Sequence, residues 1–378
     1  MEMINLSDIC YFAKDRTEIS SLSLKTYIST ENMLQNRKGV TLASGLPTQK
    51  NTQAFKAGDV LVSNIRPYLK KIWLAEFDGG CSNDVLVLRP KYKIDSIYLY
   101  YILSSDSFFE YATTTARGTK MPRGDKDAIM IYKVPKLDYS IQKKIAKILI
   151  DYDKKSKINR RLVDILNEQL ELIFKSTFIR FESFNGRKPD NWKTFRFSEF
   201  ITETKEKCGN RSLPVYSITN EGLALRDEKF KKQVSNNVSN HKVIHYGDLV
   251  FGLNTDVLNW DVMEDEIGIM SPAYMSYHVS DNVSPIYLKY FIKTQVSKFR
   301  DLIKLSTRVG QGLDKDALLQ KELYYPDDKS LNDFLELFKK YKDEISNLNK
   351  QSINLTELRD TLLPKLMSGE IDVTDLNI

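Results

Sequence analysis

The sequence predicts an α+β protein: two tandem mixed α and β domains and two long helices, arranged as a pseudo-twofold internal repeat. The tetrapeptide Asp-Lys-Asp-Ala begins at Asp125 and again at Asp314, an offset of 189 residues, which is half of the 378-residue chain. Each copy is followed by one long run of residues with helical periodicity. Repetition at a fixed offset indicates that one structural unit occurs twice. We therefore expect the order domain, helix, domain, helix.

Further motifs align at the same offset. Two copies are too few for a solenoid, so we expect each half to present the same kind of surface. The aligned pairs are Gly58-Asp59 with Gly247-Asp248, Tyr27-Ile28-Ser29-Thr30 with Tyr216-Ser217-Ile218-Thr219, and Ile97-Tyr98-Leu99 with Ile286-Tyr287-Leu288.

Boundaries follow from the repeat and from the composition of each segment. Short β-branched and aromatic runs indicate strands at Val60 to Val62, Val85 to Leu88 and Leu249 to Phe251. Helical periodicity behind serine-type caps indicates helices over Ser96 to Tyr111 and Ser284 to Leu305. The predicted segments are a first domain over 1–136, a first long helix over 137–184, a second domain over 185–328, a second long helix over 329–369 and a tail over 370–378.

The two long helices are expected to pair as an antiparallel coiled coil. No Gly or Pro lies between Pro135 and Gly186, and the second helix has apolar residues at heptad spacing before Pro364 and Gly369 close it. A 40-residue helix is about 60 Å long, so the pair would hold the domains apart. Two readers on such a spacer suit a split DNA sequence, since major-groove faces recur every ~34 Å. Polar breaks in the stripe can set register or face a partner, although we expect partial solvent exposure to explain them; they are Lys155, Asn159, Ser352 and Arg359.

Composition bounds the class of protein. The chain has 56 Lys+Arg against 50 Asp+Glu, a formal charge of +6, which permits nucleic-acid binding without indicating a protein that grips phosphates alone. Its three cysteines form no Cys-x-x-Cys pair, so neither a disulfide framework nor a zinc knuckle is indicated. Neither a signal peptide nor an apolar run of the roughly 20 residues that span a bilayer is recognised. We expect a cytoplasmic protein.

Catalytic motifs are weak. Pro189-Asp190 with Glu203-Thr204-Lys205 fits the loose pattern of a PD…ExK nuclease, but the other half lacks a counterpart, and a loop leading into a strand is expected instead. Ser271 to Tyr274 lacks the second proline of an amino-methyltransferase loop, and we expect a strand entry there. His241 and His245 have the spacing of metal ligands on a helix, yet their neighbours favour a strand. No metal site and no catalytic residue is predicted.

Two loops in each half carry residue types that read DNA. One precedes Asp-Lys-Asp-Ala, and the other follows the Gly-Asp strand. Arg can pair bidentately with guanine and Gln with adenine, while Lys contacts phosphates. A solvated turn is the alternative at each position, but the frame repeats while these groups diverge, as expected for two readers of different half-sites. The candidate DNA-binding residues are Asn64, Arg66, Tyr68, Lys70, Arg117, Thr119, Lys120, Arg123, Asn254, Thr255, Arg308 and Gln311.

These features resemble one known family. The run from Leu358 to Ile371, Leu-Arg-Asp-Thr-Leu-Leu-Pro-Lys-Leu-Met-Ser-Gly-Glu-Ile, resembles the end of the second conserved helix in specificity (S) subunits of type I restriction-modification enzymes. The segment Pro214 to Gly222 resembles the opening of a target-recognition domain in that family. The resemblance covers the whole chain in the right order. One departure is that the first domain lacks a counterpart of Trp192, so its first strand is expected to be short.

The resemblance implies a non-catalytic recognition subunit. Each target-recognition domain would read one part of a bipartite double-stranded DNA target, and the helices would dock two modification (methyltransferase) subunits. This chain would hold no cofactor. The modification subunits would bind S-adenosylmethionine and methylate adenine, and restriction subunits would use ATP and Mg for translocation and cleavage. The alternatives are a coiled-coil assembly or adaptor protein that binds other proteins and a self-contained DNA modification or cleavage enzyme.

Overall fold

The computed structural model describes residues 2–226, 238–252, 258–304 and 312–376. Within these ranges no helix has the length and apolar character required to cross a membrane. The α-helices described there are, in chain order, α1 (Leu6–Ile9), α2 (Ser96–Ser104), α3 (Asp106–Thr114), α4 (Lys126–Met130), α5 (Tyr139–Phe174), α6 (Pro285–Thr294), α7 (Lys315–Leu319) and α8 (Asp328–Ser368).

The chain forms two compact units. The first unit comprises Met1–Arg161 with Leu348–Ile378, and the second comprises Leu162–Asn347. Each long helix therefore contributes to both units, whereas the sequence-based boundaries set the helices apart as separate segments. The physical reason in the first unit is that Ile145 and Leu149 of α5 and Leu363 of α8 are buried in the same core as the domain's own helices.

Two four-stranded sheets dominate the first unit. One has the order β2-β9-β6-β7 and is antiparallel throughout, and the other has the order β3-β5-β8-β4 with β4 and β8 parallel. The strands β1 and β10 form a separate antiparallel pair. These strands are β1 (Met3–Asn5), β2 (Cys10–Phe12), β3 (Arg16–Glu18), β4 (Tyr27–Ile28), β5 (Asn51–Phe55), β6 (Val60–Ser63), β7 (Ile72–Leu74), β8 (Gly79–Cys81), β9 (Val85–Pro90) and β10 (Lys133–Pro135).

The second unit repeats this arrangement. Its sheets have the orders β12-β19-β16-β17 and β14-β13-β18-β15, with β13 and β18 parallel, and β11 pairs with β22 as β1 pairs with β10. The strands are β11 (Lys193–Arg196), β12 (Ile201–Glu203), β13 (Val215–Thr219), β14 (Gly222–Leu225), β15 (Lys242–His245), β16 (Leu249–Phe251), β17 (Trp260–Val262), β18 (Ile267–Met270), β19 (Met275–Val279), β20 (Ile303–Lys304), β21 (Gly312–Leu313) and β22 (Glu322–Tyr325).

The central strands are apolar on both faces because each sheet lies between two cores. Val60 and Val62 of β6 are buried in the core that contains the helices, while Leu61 is buried in the core beneath the other sheet. In the second unit Leu249 and Val250 of β16 divide between two cores in the same way. A strand covered on both sides needs a continuous apolar run rather than an alternating one. The predicted strands at these positions are confirmed.

The first long helix is shorter than the predicted range of 137–184. The α-helix α5 ends at Phe174 and continues as a π-helical turn over Lys175–Ile179. Phe181 then has a left-handed conformation with φ 55°, which ends the helix. The side chains that favoured a longer helix by their spacing, including Phe178, instead pack around the buried ring of Trp192.

The second long helix runs through the proline that was expected to close it. Pro364 lies inside α8, and the helix reaches Ser368 before Gly369 adopts φ 72°. A proline removes one backbone hydrogen bond of a helix. Burial of Leu363 and Leu366 on either side holds the last turn in place.

The shorter predicted helices are also divided. The helix expected over Ser96 to Tyr111 breaks at Ser105, which caps α3, and Asp95 rather than a serine caps α2. The helix expected from Ser284 onward is capped by Ser284, and after α6 it continues as a 3-10 helix over Val296–Leu302.

The long helices pair in antiparallel fashion within each unit. In the first unit Arg359 pairs with Asp153 at 2.5 Å, and Asn159 donates to Gln351 at 3.3 Å. Asn159 is fully buried and the Arg359 side chain is only 16% exposed. Solvent exposure therefore does not explain these two polar breaks in the apolar stripe, because both lie at the helix contact and have partners across it.

Contacts in the second unit continue the same pairing scheme. The ring of Phe174 lies 5.2 Å from that of Phe334, and the Tyr341 hydroxyl donates to Gln169 at 3.4 Å. In each unit, residues later in α5 contact residues earlier in α8, which is the antiparallel order expected from the sequence.

Candidate nucleic-acid interface

The repeated Gly-Asp pair forms a turn that leads into the central strand of each unit. In the first unit the Gly58 amide donates to the Ala75 carbonyl, and the Ala75 amide donates back to the Asp59 carbonyl, both at 2.9 Å. The Asp59 carboxylate accepts from the Lys56 amide at 2.8 Å. Gly58 has φ 89°, a conformation that favours glycine. The turn thereby fixes where β6 begins and where the loop after it emerges.

The second unit repeats this turn bond for bond. The Gly247 amide donates to the Met263 carbonyl, and the Met263 amide donates to the Asp248 carbonyl, both at 2.9 Å. The Asp248 carboxylate accepts from the His245 amide at 2.9 Å, and Gly247 has φ 85°. The aligned motif is therefore one structural element that occurs twice.

The two buried aspartates have different partners. Asp59 accepts from Nε and a terminal nitrogen of Arg89, each at 2.7 Å, in a bidentate pair. At the position of Arg89 the second unit has His278, whose Nδ1 lies 3.3 Å from Asp248. Burial raises the pKa of the Asp248 carboxyl, and its contacts with His245 and His278 only partly oppose that rise.

The repeated Asp-Lys-Asp-Ala begins a short helix in each unit. The Asp125 carboxylate accepts from the amides of Asp127 at 3.0 Å and Ala128 at 3.3 Å, which caps α4. Asp314 caps α7 by accepting from the Ala317 amide at 3.0 Å. An aspartate at this position satisfies amides that the first helical turn leaves without partners. These caps fix the end of the loop that precedes each helix.

Backbone hydrogen bonds bring the two candidate loops of the first unit together. The Arg66 amide donates to the Pro122 carbonyl at 2.8 Å, and the Gly124 amide donates to the Asn64 carbonyl at 3.0 Å. We call the two loops, residues 64–70 and 117–124, the paired loops. Because both are anchored by their backbones, their side chains form one surface.

A second set of bonds closes the later loop on itself. Arg117 and Arg123 exchange backbone hydrogen bonds at 2.8 and 2.9 Å, so residues 118–122 form its tip. Thr119 and Lys120 are exposed there. In the earlier loop Arg66 is exposed in a left-handed conformation with φ 52°, and Tyr68 is 51% exposed. These side chains are available to a ligand.

Carboxylates hold several of the candidate cations. Arg117, with 81% of its side chain exposed, pairs with Asp125, and Arg123 pairs with Asp84 at 2.9 Å. Hydrogen bonds from the Ala128 and Asp127 amides and from Arg117 outweigh burial and lower the pKa of the Asp125 carboxyl. Arg117 therefore sits beside an ionised carboxylate near neutral pH.

Two of the predicted residues occupy more sheltered positions. Lys70 pairs with Asp106 at 2.5 Å, and Arg37 pairs with the same carboxylate. The Lys70 ammonium is the largest cause of the lowered pKa of Asp106. Asn64 is half-buried, and its Oδ1 is buried without a hydrogen-bond partner in the part of the chain described.

Sequence reasoning missed Arg37, whose amide donates to the Lys70 carbonyl at 2.9 Å. Residues 36 and 37 both have positive φ, but no motif marks them. Lys71, which follows Lys70 in the chain, donates to the Thr30 carbonyl at 2.5 Å, and burial lowers its pKa. It is held by the protein.

The candidates in the second half lie outside the described residues; they are Asn254, Thr255, Arg308 and Gln311. Their flanks are described. The Gly252 amide donates to the Asn259 carbonyl at 2.8 Å, and β21 pairs with β20 at the end of the later segment.

The weak catalytic motifs have structural explanations. Glu203, from the nuclease-like pattern, pairs with Lys315 at 2.9 Å, and β11 begins directly after Trp192 as predicted. His245 lies on β15 rather than on a helix, and it contacts Glu206 at 3.1 Å. Within the described ranges no group of three or more His, Cys, Asp or Glu side chains could hold a metal ion.

Comparisons with known proteins agree on one family. A family model for the type I restriction modification DNA specificity domain matches residues 1–168. The MjaVIII specificity subunit of Methanocaldococcus jannaschii, a type I restriction enzyme component, is 25% identical over 343 residues, which cover 79% of this chain and 76% of that protein. The MjaIX specificity subunit of the same organism is 23% identical over 354 residues, covering 85% of this chain and 79% of the relative.

A solved structure supports the fold. The S subunit of a type I restriction-modification system from M. genitalium superposes with a TM-score of 0.53 at 15% identity, over 99% of this chain and 96% of that one. The tandem mixed domains and the two long helices predicted from the sequence are thus confirmed. The chain is thus similar over most of its length to specificity subunits of type I restriction-modification enzymes, and its first 168 residues match the family model.

Proposed function

We propose that this chain is the DNA-recognition subunit of a type I restriction-modification complex and that each half reads one part of a bipartite target. The observation that carries the proposal is the repeated frame, the Gly-Asp turn and the Asp-capped helix, around loops whose sequences diverge. Two identical frames with different loops suit two half-sites of different sequence. The likeness to specificity subunits supports a recognition subunit rather than an enzyme.

In the first half the paired loops would form the DNA contact. Arg66 and Lys120, which have no salt bridge to a described residue, would contact phosphates or bases directly. On binding DNA, Arg117 and Arg123 would leave their carboxylate partners and contact a guanine edge or a phosphate, because the guanidinium group can donate two parallel hydrogen bonds to either. Tyr68 would add an aromatic contact, and Thr119 a hydroxyl.

The remaining first-half candidates would shape the loops more than they touch DNA. The Lys70 ammonium is engaged by Asp106, and the Asn64 carbonyl accepts a bond from Gly124. In the second half Asn254, Thr255, Arg308 and Gln311 would take the base-reading role, since they occupy the two loops aligned with the paired loops.

The long helices would dock two methyltransferase subunits. In the second unit α5 exposes Leu162, Ile165 and Leu172, with relative exposures of 41%, 39% and 61%. With Gln169 between them these residues repeat at alternating spacings of three and four, the pattern of a helix that packs against another helix. This outward stripe supports a helical partner.

Cofactors would belong to the partners. The modification subunits would bind S-adenosylmethionine, and restriction subunits would use ATP and Mg. The assembled complex would act in the cytoplasm.

The test is a domain exchange in the complex. Replacing residues 1–136 with the corresponding domain of another specificity subunit should change one half of the methylated sequence, read genome-wide, and leave the other half unchanged. In the unexchanged chain Arg66→Ala and Arg117→Ala should weaken binding of the target duplex, while Lys136→Ala should not, because Lys136 pairs with Glu2 on the β1 and β10 sheet. A continuous footprint, or none, would contradict the proposal and favour an adaptor that binds proteins.

A further inference from the structure

A basic cleft lies beside the paired loops of the first unit. Its volume is about 310 Å³, and strand β9 forms one side. We call it the basic cleft, and its polar and aromatic lining consists of Phe12, Lys14, Arg16, Gln53 and Lys126. No carboxylate is among its lining residues.

The three cations of the basic cleft have no acidic partner among the residues that the structure describes. Arg16 donates only to the Asn51 carbonyl, at 3.3 Å, and the Lys126 ammonium lies 6.0 Å from the centre of the Phe12 ring. Asp15, which lies between Lys14 and Arg16 in the chain, is paired with Arg89 at 2.5 Å. Three like charges without a counterion repel one another, so the cleft favours an anion.

The second unit offers an internal comparison. Phe12 pairs with Leu88 in the first unit as Glu203 pairs with Tyr277 in the second, and Leu88 and Tyr277 are aligned at the offset of 189 residues, so Glu203 occupies the position of Phe12. Lys126 aligns with Lys315. Lys315 donates to both oxygens of Glu203, at 2.9 and 3.0 Å. That hydrogen bond is the largest cause of the lowered pKa of the Glu203 carboxyl. In the second unit Glu203 therefore neutralises Lys315, the lysine equivalent to Lys126.

We propose that the basic cleft binds a backbone phosphate of the DNA beside the first half-site, through Lys14, Arg16 and Lys126, and that the second unit has no equivalent contact. The inference rests on the proposed function and adds to it an asymmetry between the halves. A phosphate supplies the anion that the three cations lack, and such contacts fix the position of a protein on the duplex without reading sequence.

The position of the basic cleft fits this role. Lys126 directly follows Asp125, the carboxylate that pairs with Arg117 of the paired loops. On the other side Val85 of the lining directly follows Asp84, the partner of Arg123. The cleft thus adjoins the residues proposed to contact bases, so a duplex on the paired loops would present its backbone to it.

The internal comparison also supplies the experiment. Phe12→Glu gives the first unit the carboxylate of the second, and we expect it to pair with Lys126 as Glu203 pairs with Lys315. Glu203→Phe makes the reciprocal change. Each variant is assembled with the modification subunits, and its affinity for a duplex carrying the methylated target is measured over a range of salt concentrations.

Each phosphate contact contributes about 0.9 to the slope of log affinity against log salt. Phe12→Glu should reduce the magnitude of this slope by about one, and Glu203→Phe should raise it by about one. Lys14→Gln and Lys126→Gln should each reduce it as well, which guards against an effect of misfolding in Phe12→Glu. The methylated sequence should stay the same in all variants.

The possible failures are distinguishable. If the complex with the unaltered chain does not bind the target more tightly than an unrelated duplex, the proposed function is refuted and the inference falls with it. If that complex binds specifically but the slope is unchanged in Phe12→Glu, Lys14→Gln and Lys126→Gln, the phosphate site alone is overturned. A changed methylated sequence would also overturn it, because the cleft would then read bases.

Discussion

Removal of Arg89 should destabilise the first unit far more than removal of His278 destabilises the second. The two side chains occupy equivalent positions and face equivalent buried aspartates, Asp59 and Asp248, in the repeated Gly-Asp turns. The comparison of Arg89→Ala with His278→Ala therefore sets a bidentate guanidinium pair against a single imidazole contact in the same frame.

The geometry sets the expected magnitudes. Asp59 is 3% exposed and Arg89 is 18% exposed, with two hydrogen bonds at 2.7 Å between them. Removing one partner of a buried pair costs about 3–5 kcal/mol, because a charge is left without compensation. The His278 side chain is 60% exposed and makes one contact at 3.3 Å, so its removal should cost about 0–1 kcal/mol. The difference of at least about 2 kcal/mol corresponds to roughly a 30-fold change in an opening equilibrium.

The assay is amide hydrogen exchange in the full chain, followed in peptides that contain β6 and β16. Arg89→Ala should lower protection of β6, while His278→Ala should leave that of β16 nearly unchanged. Arg89→Lys is the matched control, because a lysine keeps the charge without the bidentate geometry, and it should have an intermediate effect. Equal losses of protection in the two alanine variants would refute the reasoning.

Three further outcomes are expected. Burial raises the pKa of the Asp248 carboxyl, so its contribution to the stability of the second unit is fully present below the ordinary carboxyl pKa and is lost as pH rises through the raised pKa. Asp248→Asn should therefore make hydrogen exchange in β16 less dependent on pH over this range. In thermal unfolding the double variant Asp153→Leu with Arg359→Leu should be more stable than the sum of the single variants predicts, by about 1–3 kcal/mol, because each single change leaves a charge at the helix contact; additive effects would contradict this. Asp125→Ala and Asp314→Ala should each lower the free energy of urea unfolding of its unit through loss of a helix cap, and a cost in only one unit would argue against a shared role.

Local chemistry made much of the fold predictable. Val60 to Val62 and Leu249 to Phe251 form strands because β-branched and aromatic runs after a Gly-Asp turn have few alternatives. Because the motifs are duplicated, a strand or helix predicted in one half was also expected at the aligned position of the other half. Boundaries were less predictable: the first long helix was expected to reach residue 184, but it ends at Phe181, whose ring packs against Trp192.

The candidate interface was predictable only in part. The residue types of the paired loops could be read from the chain, but their meeting depends on the bond from Arg66 to Pro122, which no spacing rule predicts. Lys14 and Lys126 gave no signal, because a surface lysine becomes informative only when its partners, or their absence, are known.

The sequence by itself determined the repeat, the class of fold, the family resemblance and the residues able to contact DNA, because each of these is written in neighbouring residues or in a fixed offset. Tertiary structure alone decided which cations are held by carboxylates and which are not. It placed Arg359 against Asp153 at the helix contact, and it separated the unpaired Lys126 from Lys315, which Glu203 neutralises. The physical reason is that an ion pair depends on distances of a few ångströms between residues far apart in the chain.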